Sequence, residues 1–184
     1  MNKKSGKSIK KSRFKQAPVA DPFRDSVTGL YSLELLRQRI KEVMAKSNRS
    51  HEKWALILWD IDGFISFNNK FGRSSGDLLL KKVGESIRAS LREYDEAFRG
   101  ETDEFYAIVQ PSSPESAQQI ISRVSDTVSR NLFDKNTEYA DHSFSLSAGV
   151  VFYPGENSIP EALIHAAHQD MYAKQRDLKS KNIK

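Results

Sequence analysis

Six consecutive apolar residues, Trp54-Ala-Leu-Ile-Leu-Trp59, constrain this chain more than any other feature. A run this short is a strand, and a strand that does not alternate is covered on both faces. It therefore belongs at the centre of a sheet with helices on either side. It is also far below the ~20 apolar residues that span a membrane. The run leads straight into Asp60-Ile61-Asp62-Gly63, which places carboxylates at the end of a buried strand.

The rest of the chain supplies the helices and further strands. Asp25-Ser-Val-Thr-Gly-Leu-Tyr31 is a turn rich in capping residues. Ser32 caps a helix with Leu33, Leu36, Ile40 and Val43 at helical spacing to about Ala45, followed by a polar loop from Ser47 to Lys53. Phe64 to Phe71 reads as a short helix ended by Gly72. A longer one follows from about Gly76 to Leu91, with Leu78, Leu79, Val83, Ile87 and Leu91 on one stripe. A tight turn, Gly100-Glu101-Thr102-Asp103-Glu104, joins Ala97-Phe98 to the strand Phe105–Val109. Pro114 starts a helix carrying Ala117, Ile120, Ile121, Val124 and Val128; Ser143 to Phe152 alternates as a strand. Pro160 opens a last helix with Leu163, Ile164, Ala167, Met171 and Tyr172 inward. The order α-β-α-α-β-β-α-β-α predicts an α/β fold, a mixed sheet with the Trp54–Trp59 strand in its middle.

Charge divides the chain unevenly. Residues 1–20 hold seven cations and no acid, so the remainder has 22 cations against 24 acids and is slightly acidic. A Lys/Ser/Gln-rich segment of this kind cannot offset its ordering entropy and is expected to be a disordered basic tail before one domain over 21–184. Phe14, Val19 and Phe23 among the cations suit a docking arm for a protein partner. Without a basic face on the domain, the tail is not a specific nucleic-acid reader. No apolar h-region follows it, so it is no secretory signal. The absence of cysteine excludes disulfides, thiolate metal sites and cysteine nucleophiles, and suits a reducing cytoplasm. The four histidines show no metal spacing, and His165 and His168 read as a surface pair.

From Asp25 onward the landmarks come in a recognisable order. Asp25-x-x-Thr28-Gly29-Leu30-Tyr31 is followed by Asp60-Ile61-Asp62-Gly63-Phe64 with Asn68, Phe71-Gly72 and Gly76-Asp77. Next come Arg99-Gly-Glu-Thr-Asp103-Glu104-Phe105, Ser147-Ala-Gly149-Val150 and Met171-Tyr172-Ala173-Lys174. Over residues ~21 to 180 the chain resembles the GGDEF domains of bacterial diguanylate cyclases. The resemblance implies a central antiparallel-rich mixed sheet surrounded by helices, in a cytoplasmic bacterial signalling protein. It also implies Asp60, the Ile61 carbonyl and Asp103 at magnesium positions, with Asn68 and Asp77 at the guanine edge of GTP.

The departures point away from that chemistry. Glu101 and Thr102 stand where the family has two glycines, whose bare backbone lets a triphosphate approach. Glu101 adds a negative charge there, and like charges in a partly desolvated site repel. Ile65 replaces a basic residue, Asn69 an aspartate, and Gln175 a phosphate-holding lysine; Lys179 and Leu178 replace an arginine and a glycine. The resemblance therefore implies a degenerate domain with cyclase activity lost and vestigial positions Asn68, Asp77, Glu101 and Thr102.

Five residues lie between Arg92-Glu-Tyr-Asp95 and Glu101, where the resemblance places the family's inhibitory site for cyclic di-GMP, with Arg123 on the facing helix as third member. As bare spacing the pattern says little, since Arg123-Val-Ser-Asp126 repeats it and a surface ion pair fits equally well. A guanidinium fork suits guanine O6 and N7, and a carboxylate accepts from the N1–H and N2–H₂ edge. The expectation is a cyclic di-GMP receptor that needs no cofactor and signals through a protein partner, with a ligand-mediated dimer as one outcome. A residual cyclase joining two GTP, with magnesium only if the vestigial site still binds it, is the alternative.

Overall fold

In a computed structural model, the protein is described over residues 21–111, 113–132, 144–155 and 159–181. The basic segment 1–20, together with His142 and Ser143, lies outside the described residues. Nine elements follow in the expected order: α1 (Leu33–Ser50), β1 (Trp54–Ile61), α2 (Phe64–Phe71), α3 (Arg73–Ser90), β2 (Glu96–Arg99), β3 (Glu104–Val109), α4 (Pro114–Leu132), β4 (Leu146–Tyr153) and α5 (Pro160–Lys181).

The sheet runs β2-β3-β1-β4, with every ladder antiparallel. The parallel component foreseen by a mixed sheet reduces, among the described residues, to one isolated bridge between Tyr31 and Phe98. β1 is interior, as its unbroken hydrophobicity requires. Alternate residues serve the two faces: Ala55, Ile57, Trp59 and Ile61 pack with α2, α3 and α4, while Trp54, Leu56 and Leu58 pack with α1 and α5.

Several boundaries shift for local reasons. α1 continues through the stretch expected as a loop, because Ser47 is buried and its Oγ donates to the Glu52 carbonyl at 2.5 Å. His51 then ends the helix at φ 57°. α3 begins at Arg73, with Gly72 as its N-cap, so Gly76 lies inside the helix. A side chain on Gly76 would collide with Asn68 of α2, and its absence is what lets the two helices touch. Leu78 and Tyr172, both assigned to core stripes, are exposed, 57% and 53%. Adjacent Leu79 and Leu80 take the inward face of α3 instead.

The segment before α1 is stitched to the sheet. Tyr31 N–H donates to the Ala97 carbonyl at 3.3 Å, and Arg99 N–H donates to the Tyr31 carbonyl at 2.7 Å. The turn over residues 23–31 thereby closes the outer edge of β2 and forms a wall facing the end of α3.

Candidate functional site

Two neighbourhoods hold the chemistry. The first is the tip of the β2–β3 hairpin beside the end of β1. Register pairs Asp60 with Glu104, so Asp60 and Asp103 come together as the sequence suggested. Burial pushes the Asp60 carboxyl up to about 7, aided by the negative charges of Asp103, Asp62 and Glu104. Burial also raises Asp103, against the pull of nearby Arg99. Asp62 is turned to a structural task, accepting from Ser145 Oγ at 2.5 Å and Ser147 Oγ at 2.7 Å.

Among the described residues no three His, Cys, Asp or Glu side chains form a metal cage. Crowded carboxylates nevertheless fit magnesium, which is held by one or two carboxylates while phosphates and water complete its shell. Asp60 and Asp103, with the Ile61 carbonyl, are the residues that would hold it.

A folded-state Asp60 near 7 binds a proton that the unfolded chain releases around pH 4. Without a divalent cation, that stabilisation is complete below about pH 4 and is lost as pH rises towards about 7. Asp60→Asn is expected to flatten this slope in urea denaturation run at about pH 4.5 and about pH 7.5.

The second neighbourhood is the loop from α3 to β2. Here Arg92 and Asp95 do not form an ion pair through their side chains. Asp95 Oδ2 accepts from the Arg92 backbone N–H at 3.0 Å, while Arg92 Nη1 donates to the Tyr94 hydroxyl at 2.7 Å. Both residues line a cleft of about 550 Å³ with Arg24, Tyr31, Arg88 and Leu91. Arg123 is not in this cleft. Its Nε donates to the Ser90 carbonyl at 2.8 Å, satisfying the end of α3, and its side chain lines a separate groove along α4.

The family model described as the diguanylate cyclase GGDEF domain matches residues 23–181. The chain belongs to the GGDEF domain family. Diguanylate cyclase DgcS of Shewanella oneidensis is 32% identical over 149 residues, covering 80% of this chain and 48% of that protein. The bifunctional diguanylate cyclase/cyclic di-GMP phosphodiesterase MucR of Pseudomonas aeruginosa is 29% identical over 150 residues, 80% of this chain and 21% of that one. The chain thus spans about half or less of these curated relatives. Among solved structures, the GGDEF domain of TpbB from P. aeruginosa aligns with a TM-score of 0.71 at 28% identity, covering 84% of this chain and 89% of that one. The GGDEF domain of DgcB from Caulobacter crescentus, in complex with c-di-GMP, shares the fold at a TM-score of 0.76 and 18% identity, covering 86% and 93%.

In this GGDEF domain the signature turn keeps a glycine-like backbone at one position without a glycine. Thr102 sits at φ 45°, a region costly for a β-branched residue. Arg99, 7% exposed, braces the turn from below: Nη1 donates to the Glu104 carbonyl at 2.6 Å and Nη2 to the Thr102 carbonyl. Thr102→Gly is expected to raise stability by about 1 kcal/mol, read as a higher urea midpoint, because relief of strain exceeds the added freedom of the unfolded chain.

The two residues expected at a guanine edge are split. Asn68 Oδ1 is buried and has no hydrogen-bond partner among the described residues, whereas Asp77 is exposed. Gln175 donates to Ser147 Oγ at 2.7 Å. His168 is no surface bystander: its Nε2 lies 3.0 Å from the Tyr106 hydroxyl and 3.6 Å from Glu104 Oε1. Two cleft residues escaped the sequence reading altogether, Arg24 and Arg88. Neither belongs to a spaced motif, and only the stitching of the 23–31 turn onto β2 brings Arg24 near α3.

Proposed function

We propose that this GGDEF domain is a receptor for cyclic di-GMP, bound at Arg92 and Asp95, with Arg123 of α4 a further contact once it exchanges the Ser90 carbonyl for the ligand. The reading is carried by the cleft itself, in which Arg92 and Asp95 share walls with two more arginines. Arg92 would exchange the Tyr94 hydroxyl for guanine O6 and N7, and Asp95 would accept from the N1–H and N2–H₂ edge. At the signature turn, by contrast, exposed Glu101 and Thr102 occupy the glycine positions and put side chains where a triphosphate would need bare backbone. Cyclase activity is accordingly lost, and the bound dinucleotide signals through a protein partner, with residues 1–20 as the candidate contact. No helix among the described residues is long and apolar enough to cross a membrane. The place of action in this reading is the bacterial cytoplasm. A ligand-mediated dimer forms if a stacked dinucleotide pair presents its outer guanines to a second copy.

Calorimetric titration of the full chain with cyclic di-GMP and, separately, with GTP tests this. Micromolar or tighter binding of the dinucleotide alone is the expected result; heat with GTP alone overturns it.

A second reading, a residual diguanylate cyclase, is favoured by the Asp60–Asp103 pair and the orphaned Asn68 acceptor. In it, Asp60 and Asp103 would hold a magnesium ion, whose charge would offset that developing on the phosphates, and Asn68 and Asp77 would orient guanine. Chromatography after incubation with GTP and Mg²⁺ or Mn²⁺ decides between them: cyclic di-GMP that vanishes with Asp103→Ala establishes the cyclase.

A further inference from the structure

The cleft that holds Arg92 and Asp95 has a second wall that the spaced motif does not contain. It is the turn over residues 23–31, and it is built to be firm. Asp25 Oδ1 accepts from Thr28 N–H at 2.8 Å and from Thr28 Oγ1 at 2.7 Å, and Asp25 N–H donates to the Leu30 carbonyl at 2.9 Å. A Cβ on Gly84 of α3 would stand 3.1 Å from Thr28 Cβ, so turn and helix are packed close together. On this wall Arg24 lies 4.5 Å over the Tyr31 ring while Nη1 donates to the Gly29 carbonyl at 2.8 Å. Its guanidinium is held in one orientation, at the rim of the cleft.

Across from it, Arg88 projects from the last turn of α3. It is exposed, and its side chain has no hydrogen-bond or ion-pair partner among the described residues. It lines both this cleft and the adjoining groove beside Thr28, Leu30 and Gly84. The acids nearby offset these cations only in part. Glu96 is paired with Arg39 at 3.1 Å, and Asp95 is held by the Arg92 backbone N–H. Asp21 reaches Arg24 only at 3.6 Å, on an exposed face. Glu93 is the remaining acid of the lining, and it is exposed.

We propose that Arg24 and Arg88 are ligand-binding residues of this cleft, which meet the two phosphodiesters of a cyclic dinucleotide while Arg92 and Asp95 read a guanine. The proposal rests on the cyclic di-GMP reading above and deepens it. A cyclic dinucleotide carries two phosphates, and the cleft offers two guanidiniums, Arg24 and Arg88, beyond the neutral Arg92/Asp95 pair. Arg123, committed to the Ser90 carbonyl and facing the α4 groove, does not supply those two cations within this cleft. Guanidinium is the group suited to phosphate, since it donates two parallel hydrogen bonds. Bound this way, the ligand clasps the 23–31 turn against α3. Occupancy is thereby registered on the backbone that leads into α1, and through Tyr31 on the edge of β2.

The test is calorimetry with cyclic di-GMP on the full chain and on Arg88→Ala, Arg24→Ala, Arg24→Lys and Arg92→Ala, with hydrogen exchange over residues 24–31. Arg88→Ala and Arg24→Ala are each expected to weaken binding about tenfold or more, the effect of one charge-assisted hydrogen-bonding group. Arg24→Lys should recover part of the loss. Ligand should slow exchange in the 24–31 turn of the wild type but not of Arg24→Ala. Should Arg24→Ala melt early, Arg88→Ala and Arg24→Lys carry the comparison. If both arginine variants bind within twofold of wild type while Arg92→Ala does not bind, the proposal is wrong and the receptor reading stands. If the wild type itself fails to bind, both fall together.

Discussion

Arg92→Ala is expected to weaken cyclic di-GMP binding by about 100-fold or more while leaving the fold intact. The two halves of that expectation have separate grounds. Arg92 is exposed, and its guanidinium donates to the neighbouring Tyr94 hydroxyl, so its removal opens no cavity. In the complex the same guanidinium would donate a fork to guanine O6 and N7. Truncating one member of a desolvated, hydrogen-bonded charge pair costs about 2–5 kcal/mol, and about 1.4 kcal/mol is a factor of ten in affinity. Asp95 is a less clean probe, because its carboxylate also accepts from the Arg92 backbone N–H and shapes the loop. Calorimetry paired with a thermal melt checks the prediction. Unchanged affinity places the guanine elsewhere; a large fall in melting temperature shows that Arg92 supports the fold.

Gly149→Ala is expected to be the most damaging single-methyl change in the domain, costing about 2–4 kcal/mol. Gly149 lies in β4 opposite Leu58 of the central strand, where α5 crosses the sheet. A methyl group there would collide with the Ala167 carbonyl oxygen, and would come within 2.8 Å of Met171 N and 3.0 Å of Met171 Cβ. The obstacles are helix backbone, which cannot step aside as a flexible side chain can. α5 would have to lift, loosening its packing through buried Leu163, Ala167 and Met171. Urea denaturation should show a lower midpoint with an unchanged slope. A midpoint within experimental error of wild type would mean that α5 sits farther from β4 than described.

These two cases mark what the sequence could and could not convey. Gly149 was legible as a landmark in the Ser147-Ala-Gly149-Val150 stretch, and its physical reason, a helix passing over a strand, needed the fold. The order of elements was legible because β1 is uniformly apolar and the helices carry period-3.6 stripes. The extent of α1 was not, since Ser47 and its neighbours look like loop residues until the Glu52 carbonyl accepts from Ser47. Leu78 and Tyr172 misled for a related reason: a stripe drawn on one helix cannot say where its neighbours stop. The Arg92/Asp95 spacing was visible, but not that Asp95 serves the backbone of its partner. Arg24 was invisible because it stands 68 positions before Arg92 in the chain, and their approach depends on Tyr31 lying along β2. His168 was missed likewise, as its tie to Tyr106 and Glu104 crosses from α5 to the hairpin.

Arg99 has a consequence for how such a domain can change over time. By gripping the carbonyls of Thr102 and Glu104 from underneath, it sets the path of the hairpin tip independently of the letters written there. Position 101 can drift freely, and position 102 can drift at the cost of one unfavourable dihedral. The loop keeps its outline while the groups it displays are exchanged, so chemistry can be discarded at the tip without loosening the scaffold on which a distant pocket depends.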